Sequence, residues 1–154
     1  MSLYVLSIIS ADPHWMPSAE NADRGLEAFR RLGPGADEVK AEFFDGVQFV
    51  DQGEFFERVS CPRCGEHLDV PWWQQQMDAT WSLADSRFER LDVATPCCDA
   101  VTSLNDLEYR WPAGFASFAL RAQNPNPGGF LPDHEIGPIA TALGCTARQV
   151  YAHY

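Results

Sequence analysis

The chain has 154 residues and 45% of them are hydrophobic, which is enough for one core but too little for a second independent domain. Acidic residues number 22 against 11 lysines and arginines, so the formal net charge at pH 7 is -11. This charge repels nucleic acid phosphates and anionic membrane surfaces, and it favours a basic protein partner or a small ligand.

The first predicted element is a strand from Leu3 to Ile9, whose aliphatic and β-branched residues show no polar alternation. The stretch lacks the basic flank and the small-residue cleavage site of a signal peptide, and it is too short to cross a bilayer. We therefore expect a cytoplasmic protein, in which a reducing environment keeps the thiols free.

A helix is predicted after a loop from Ala11 to Pro17. Ser18 is a favourable N-cap residue, and Gly33-Pro34-Gly35 ends the helical pattern. Apolar residues recur between them at helical spacing, at Ala19, Ala22, Leu26, Phe29 and Leu32. The pattern is typical of an amphipathic helix that covers a sheet.

Two half-buried strands are predicted next, because apolar and polar residues alternate over 39–43 and again over 47–49. We expect a hairpin in which the three-residue loop Phe44-Asp45-Gly46 joins these strands and Gly46 is left-handed. A further strand, Phe55 to Ser60, leads directly into the first cysteine pair.

Two close cysteine pairs are the strongest chemical signal in the sequence. They lie in the segments Cys61-Pro62-Arg63-Cys64-Gly65 and Thr95-Pro96-Cys97-Cys98-Asp99. A Cys-x-x-Cys turn followed by glycine lets two thiolates converge, and zinc prefers four such donors in a tetrahedron. The predicted ligands of one structural zinc ion per chain are therefore Cys61, Cys64, Cys97 and Cys98.

Other interpretations of these cysteines stay open. Side chains of adjacent residues diverge in an extended strand, so Cys97 and Cys98 face one ion only if the backbone turns sharply between them. If one of them points away, His67 is the natural substitute and gives a Cys3His set. A redox or disulfide pair, an iron-sulfur centre and simple buried thiols are further alternatives. Cys145 lies far from both pairs, and we interpret it as a small buried apolar residue.

The 32 residues between the two pairs include a predicted helix from Trp72 to Asp85, because aromatic and apolar residues recur there at helical intervals. Strands are predicted on either side of the second pair, from Arg90 to Ala94 and from Ala100 to Ser103. Another strand should run from Phe115 to Ala122, before Asn124 to Gly129 breaks the regular structure.

The two cysteine pairs and their flanking strands resemble the zinc-ribbon class, and the ribbon-like element would span 55–104. The chain is also similar to a group of small bacterial proteins without an assigned activity. The matching stretches are Cys61 to Gly65, Pro96 to Cys98 and Trp111 to Phe115. This resemblance implies a bacterial cytoplasmic protein and implies no activity.

The segment from Ile136 to Tyr154 resembles a helix-turn-helix unit. Thr146 would cap its second helix, which would offer Arg148, Gln149 and His153 to base edges in a major groove. The alternative is a helical hairpin that packs on the sheet without binding DNA, and the acidic charge of the chain favours it.

Together these patterns predict an α+β fold with a mostly antiparallel sheet, a zinc-ribbon-like insert and a C-terminal helical hairpin. We expect one α+β domain over 1–130, with the hairpin, 131–154, packed on it. No His-Glu-x-x-His, Gly-x-Ser-x-Gly or phosphate-binding glycine loop occurs in the sequence. Four nearby carboxylates are candidates for a working pair or for a solvated acidic edge: Asp45, Asp51, Glu54 and Glu57.

The leading functional hypothesis is a non-catalytic, zinc-stabilised adaptor or inhibitor that binds a basic protein partner. A DNA-binding regulator is the first alternative. A metal-dependent enzyme is the second, and it would need an open ligand position on the ion.

Overall fold

The structure, a computed structural model, describes residues 2–32 and 35–154. Within these residues it contains three α-helices: α1 (Ala19–Leu32), α2 (Val70–Thr80) and α3 (Asp133–Leu143). The strands, in chain order, are β1 (Tyr4–Ser10), β2 (Glu38–Val50), β3 (Arg58–Ser60), β4 (His67–Leu68), β5 (Trp81–Ser82), β6 (Arg87–Phe88), β7 (Asp92–Ala94), β8 (Val101–Ser103), β9 (Glu108–Arg110), β10 (Gly114–Gln123) and β11 (Ala147–His153). A short 3-10 helix, Leu104–Asp106, follows β8.

The strands form three sheets. The largest has six strands in the order β11, β1, β10, β2, β6, β5, and neighbouring strands pair antiparallel. A three-stranded sheet has the order β4, β3, β9, and β7 pairs with β8 alone. The prediction of an α+β fold with a mostly antiparallel sheet is therefore confirmed.

Three apolar clusters of the described residues hold these layers together, the smallest of them formed by Ile9, Val50, Ala116, Ala119 and Val150 of the large sheet. In the first, α1 and α3 pack against each other and against one face of the large sheet, and Phe29, Leu120 and Ile139 are fully buried there. The second cluster joins the other end of the large sheet to α2 and the small sheets, and it includes Cys61. We call residues 58–110, which carry the small sheets, α2 and the edge strands β5 and β6 of the large sheet, the metal lobe.

The start of the chain follows its local signals. Strand β1 is buried from Val5 to Ser10, as its apolar sequence predicts. The backbone N–H of Asn21 donates to the Ser18 hydroxyl at 3.1 Å, so Ser18 caps α1 as expected. The predicted helix end at Gly33-Pro34 lies outside the described residues.

The predicted hairpin over 39–49 is wrong. Both halves belong to β2, and both pair with β10, since Phe43 lies opposite Phe118 and Gln48 lies opposite Ala116. Residues 44–47 therefore bulge opposite the single residue Ser117. Gly46 has a φ of 95°, so its left-handed conformation is confirmed, but it serves a bulge rather than a turn. The long buried strand β10 offers hydrogen-bond partners along its whole length and keeps both halves in one strand.

Two element boundaries near the first cysteine pair also differ from prediction. Helix α2 ends at Thr80 instead of Asp85, because Trp81 is extended and packs its ring against Phe88 across β5 and β6. Strand β3 covers only Arg58–Ser60, because residues 52–56 form a turn closed by backbone hydrogen bonds. Strand β9 was not predicted. The strands on either side of the second pair and the strand over 115–122 are confirmed.

The prediction of a second helix in the C-terminal hairpin is wrong, because Ala147–His153 forms strand β11 at the edge of the large sheet. Gly144, with a φ of 89°, ends α3 and turns the chain back toward β1. Strand β1 then pairs with β11 over seven residues and buries Val150 and Tyr151. Thr146 accordingly caps no helix.

Among the described residues, no helix combines the length and the apolar character that crossing a membrane requires.

Candidate metal centre

The first cysteine pair lies in a tight turn between β3 and β4. The backbone N–H of Cys61 donates to the Glu66 carbonyl at 2.9 Å, and the N–H of Gly65 donates to the Cys61 carbonyl at 3.0 Å. Gly65 has a φ of 78°, a left-handed conformation that glycine adopts without steric cost. The turn therefore points the Cys61 and Cys64 side chains to the same side.

The second pair lies in an equivalent turn between β7 and β8. Here the N–H of Thr95 donates to the Ala100 carbonyl at 3.0 Å, and the N–H of Asp99 donates to the Thr95 carbonyl at 2.9 Å. Asp99 has a φ of 55°, so its backbone is left-handed like that of Gly65 in the first turn. The two hydrogen-bond patterns match residue for residue when Cys61 is aligned with Thr95 and Cys64 with Cys98. Cys97 then aligns with Arg63, a position that carries no sulfur in the first turn.

All four predicted sulfur atoms come together. The ligand atoms of Cys61, Cys64, Cys97 and Cys98 lie within 4.8 Å of one another. The distance from Cys61 to Cys98 is 3.8 Å, from Cys64 to Cys97 3.2 Å, and from Cys97 to Cys98 4.0 Å. A tetrahedral ion with Zn–S bonds of about 2.3 Å places its sulfurs about 3.8 Å apart, so the spacing fits one ion.

The adjacency of Cys97 and Cys98 does not prevent them from facing one centre, because the turn at Asp99 bends the backbone there. His67 is exposed on β4 opposite Ser60, and it is not part of the four-residue group. The structure thus brings together the cysteine set that the sequence predicts, without the histidine alternative.

The surroundings of the four sulfurs are unequal. Cys61 is fully buried, whereas Cys64, Cys97 and Cys98 are exposed. Thr95 is also fully buried, and its hydroxyl oxygen lies 3.5 Å from the sulfurs of both Cys61 and Cys98. Thr95 is a site residue that the sequence reasoning missed. A sequence signal for Thr95 exists, because Thr-Pro-Cys-Cys-Asp resembles Cys-Pro-Arg-Cys-Gly 34 positions earlier, with Thr95 at the place of Cys61.

The thiols of the first turn differ in acidity. The backbone N–H of Cys64, assisted by the Thr95 hydroxyl and opposed by burial, lowers the pKa of Cys61 to about 6. The backbone N–H of Glu66 favours the thiolate of Cys64, but the neighbouring thiols, with Cys97 foremost, raise the pKa of Cys64 to about 12. Close packing therefore opposes a second negative charge unless a cation lies between the sulfurs.

The fifth cysteine stands apart from the centre. Cys145 is half-buried and packs against the cluster between the helices and the large sheet. Burial raises the pKa of its thiol, which is consistent with the predicted role of a small apolar residue.

Each of the four candidate carboxylates contacts a different partner. Glu57 pairs with Arg110 at 3.7 Å, Asp45 with Arg87 at 3.6 Å, and Glu54 with His153 at 3.3 Å, while Asp51 accepts a hydrogen bond from the Tyr154 hydroxyl.

The side chains proposed to read DNA bases are engaged within the protein. Arg148 donates to the Asn105 carbonyl at 3.1 Å and pairs with Asp106 at 3.5 Å. Gln149 donates to and accepts from the backbone of Leu131 at 2.9 and 2.8 Å. His153 stacks on Tyr4, with ring centroids 4.4 Å apart.

Comparison of the chain with protein-family models, with curated proteins and with solved structures gave no match. The interpretation of the four-cysteine centre therefore rests on its own geometry and chemistry.

Proposed function

We propose that Cys61, Cys64, Cys97 and Cys98 bind one zinc ion, that the ion stabilises the metal lobe, and that the protein is a non-catalytic binding protein. The spacing of the four sulfurs, close to the edge of a zinc–thiolate tetrahedron, is the observation that carries this proposal. Two hairpin turns that each contribute cysteines also agree with the resemblance to a zinc ribbon.

Zinc accounts for the donor set better than an iron-sulfur cluster does. In a cluster the four cysteines are distributed over two or four irons, and inorganic sulfide bridges the irons, so the protein sulfurs on different irons need more room between them. Four sulfurs within 4.8 Å of one another surround a single ion instead. Four thiolates also fill the coordination shell, which leaves no position for a substrate and supports a structural role.

The expected stabilisation is large. Zinc binding to small finger peptides is worth about 10–16 kcal/mol, while a whole domain is stable by about 5–15 kcal/mol. The metal lobe has short strands of two or three residues and one helix of its own, so a central ion compensates for a limited sheet framework.

The test of the metal is elemental analysis of the purified chain together with thermal unfolding. We expect about one zinc per chain, because the four donors form a single site. Cys61→Ser should lose the metal and lower the melting temperature strongly, whereas Cys145→Ser should keep both, since Cys145 lies outside the centre. Iron in place of zinc, or an unchanged melting temperature in a metal-free Cys61→Ser protein, would contradict the proposal.

The partner that we propose is a basic protein. The chain carries 22 acidic residues against 11 lysines and arginines, and such a surface attracts cationic partners at long range. The zinc-loaded protein, immobilised as bait, should retain a basic protein from its native cells at low salt and release it at about 0.5 M salt, where the Debye length is a few ångströms. Retention of an acidic protein, or retention that salt does not change, would argue against this partner class.

A further inference from the structure

The two turns of the metal centre are equivalent in backbone but not in the position of their sulfurs. In the first turn, the first residue is the buried Cys61 and the third is the exposed Arg63. In the second turn, Thr95 occupies the buried first position and Cys97 the third. Cys97 therefore supplies the fourth sulfur from the third position of its turn, and Arg63, at the same position of the first turn, is exposed to solvent.

Three of the four sulfurs have polar contacts that anchor them. Cys61 accepts backbone N–H groups from Arg63 and Cys64 and lies beside the Thr95 hydroxyl. Cys64 accepts the backbone N–H of Glu66, and the Cys98 sulfur lies 3.5 Å from the Thr95 hydroxyl. Such contacts stabilise a metal-bound thiolate and reduce its reactivity.

The contacts of Cys97 are of a different kind. Its sulfur lies 3.2 Å from that of Cys64 and 4.0 Å from that of Cys98, and its side chain is exposed. It also stands at the third position of its turn, where the counterpart in the first turn is the exposed Arg63. An exposed thiolate packed against other sulfurs leaves a metal more readily and is the better nucleophile.

We propose that Cys97 is the exchangeable ligand of the metal centre and its site of reversible oxidation by a peroxide, and that Thr95 is the positioning residue that gives Cys97 this role. The proposal rests on the metal centre proposed above. It makes Cys97 a modification site, at which hydrogen peroxide is the reactant, in a metal centre whose ion is otherwise structural.

The reaction proceeds in two displacements at sulfur. The Cys97 thiolate attacks one oxygen of hydrogen peroxide, so that an S–O bond forms, the O–O bond breaks and hydroxide departs. The Cys64 thiolate, 3.2 Å away, then attacks the sulfenic sulfur of Cys97, so that an S–S bond forms and a second hydroxide departs. Two thiolates together lose two electrons, one peroxide is reduced to two waters after protonation, and Cys61 and Cys98 are the two thiolates that would remain to hold the ion.

The first experiment uses the wild-type, zinc-loaded protein. Modification of each cysteine is followed by mass spectrometry after short exposure to hydrogen peroxide or to iodoacetamide, while a chromogenic chelator records released zinc. We expect Cys97 to react about tenfold or more faster than any other cysteine of the centre, and peroxide to give a Cys64–Cys97 disulfide in step with zinc release. Reduction with a dithiol should restore zinc binding.

The outcomes separate the two proposals. If the purified chain binds no metal, the proposed function and this inference both fail. If one zinc is bound but Cys64 or Cys98 reacts first, or the four cysteines react at equal rates, the structural zinc stands and the role of Cys97 is overturned.

The second experiment moves the fourth sulfur to the anchored position. Thr95→Cys combined with Cys97→Ser places a sulfur at the first position of both turns, so this protein should hold one zinc and release it to peroxide about tenfold or more slowly than wild type. Cys97→Ser alone, with three sulfurs, should lose zinc readily. A double variant that retains zinc no better than Cys97→Ser alone would overturn the positioning role of Thr95.

Discussion

Cys61 and Cys64 belong to the same turn, yet their thiols have opposite acidities. Amide N–H groups converge on the sulfur of Cys61 and hold its pKa near 6, whereas the thiols packed around Cys64 raise the pKa of Cys64 to about 12. Metal binding requires thiolates, so protons compete with the metal at each sulfur. Cys61 enters the complex at neutral pH without releasing a proton, and Cys64 releases one.

This difference predicts the pH dependence of zinc affinity. Affinity should fall as the pH falls from about 8 to about 5, and the slope of log Kd against pH should steepen by about one proton below about pH 6, where Cys61 becomes protonated in the metal-free protein. Competition titration with a chelator of known affinity measures the slope. Cys145→Ser, outside the centre, should give the same curve, and a constant slope through pH 6 would contradict the ionised state of Cys61.

Helices α1 and α3, which cover the large sheet, approach each other closely at Gly25. Gly25 lies on α1 beneath Leu143, the last residue of α3, and a methyl group at Gly25 would overlap that side chain, with its Cγ 2.7 Å away. Leu143 is buried and has little room to move. A residue without a side chain is therefore required where the helices cross.

Two helical glycines give a matched test of this contact. Gly25→Ala should destabilise the zinc-loaded protein by about 1 kcal/mol, because overpacking of about 1–3 kcal/mol exceeds the gain in helix propensity. Gly137→Ala, on α3, meets no atom of another element, but its methyl group would face the ring of Pro138, which disfavours helical backbone for a residue with a side chain, so no gain in stability is expected. Urea unfolding measures both variants, and a Gly25→Ala protein that is no less stable than wild type would contradict the close approach.

The two largest apolar clusters of the described residues depend differently on the metal. The cluster under α1 and α3 contains residues of β1, β10 and β11 and no cysteine ligand. The other cluster contains Cys61 and side chains from β3, β7 and α2. Removal of the ion should therefore weaken the metal lobe before the helix-covered part of the large sheet.

Amide hydrogen exchange tests this division. After chelation, residues 58–68 and 92–103 should lose protection by a large factor, while β1, β10 and β11 stay protected, because local opening follows local contacts. The zinc-loaded protein under the same conditions is the control. A uniform loss of protection over all described strands would show that the ion stabilises the fold as a single cooperative unit.

The sequence alone determined the features that depend on residues close together in the chain. Each cysteine pair, the capped start of α1 at Ser18 and the apolar strand β1 follow from spacing, capping and hydrophobicity within a few residues. The acidic charge is a property of composition. The Ser18 cap and the buried strand β1 are confirmed, because the interactions behind them are local, and the two cysteine pairs lie close enough together to hold one ion.

Tertiary structure alone decided the pairing of distant segments. The residues Ala147–His153 are compatible with a helix, but the free edge of β1 offers hydrogen bonds and apolar neighbours that make them a strand. In the same way β10 keeps the two halves of β2 in one strand. The repeat of Cys61 to Gly65 as Thr95 to Asp99 indicates equivalent turns, but the tertiary structure alone brings the Thr95 hydroxyl within 3.5 Å of two sulfurs. For both strands the deciding partner lies far along the chain, so no local pattern could identify the pairing.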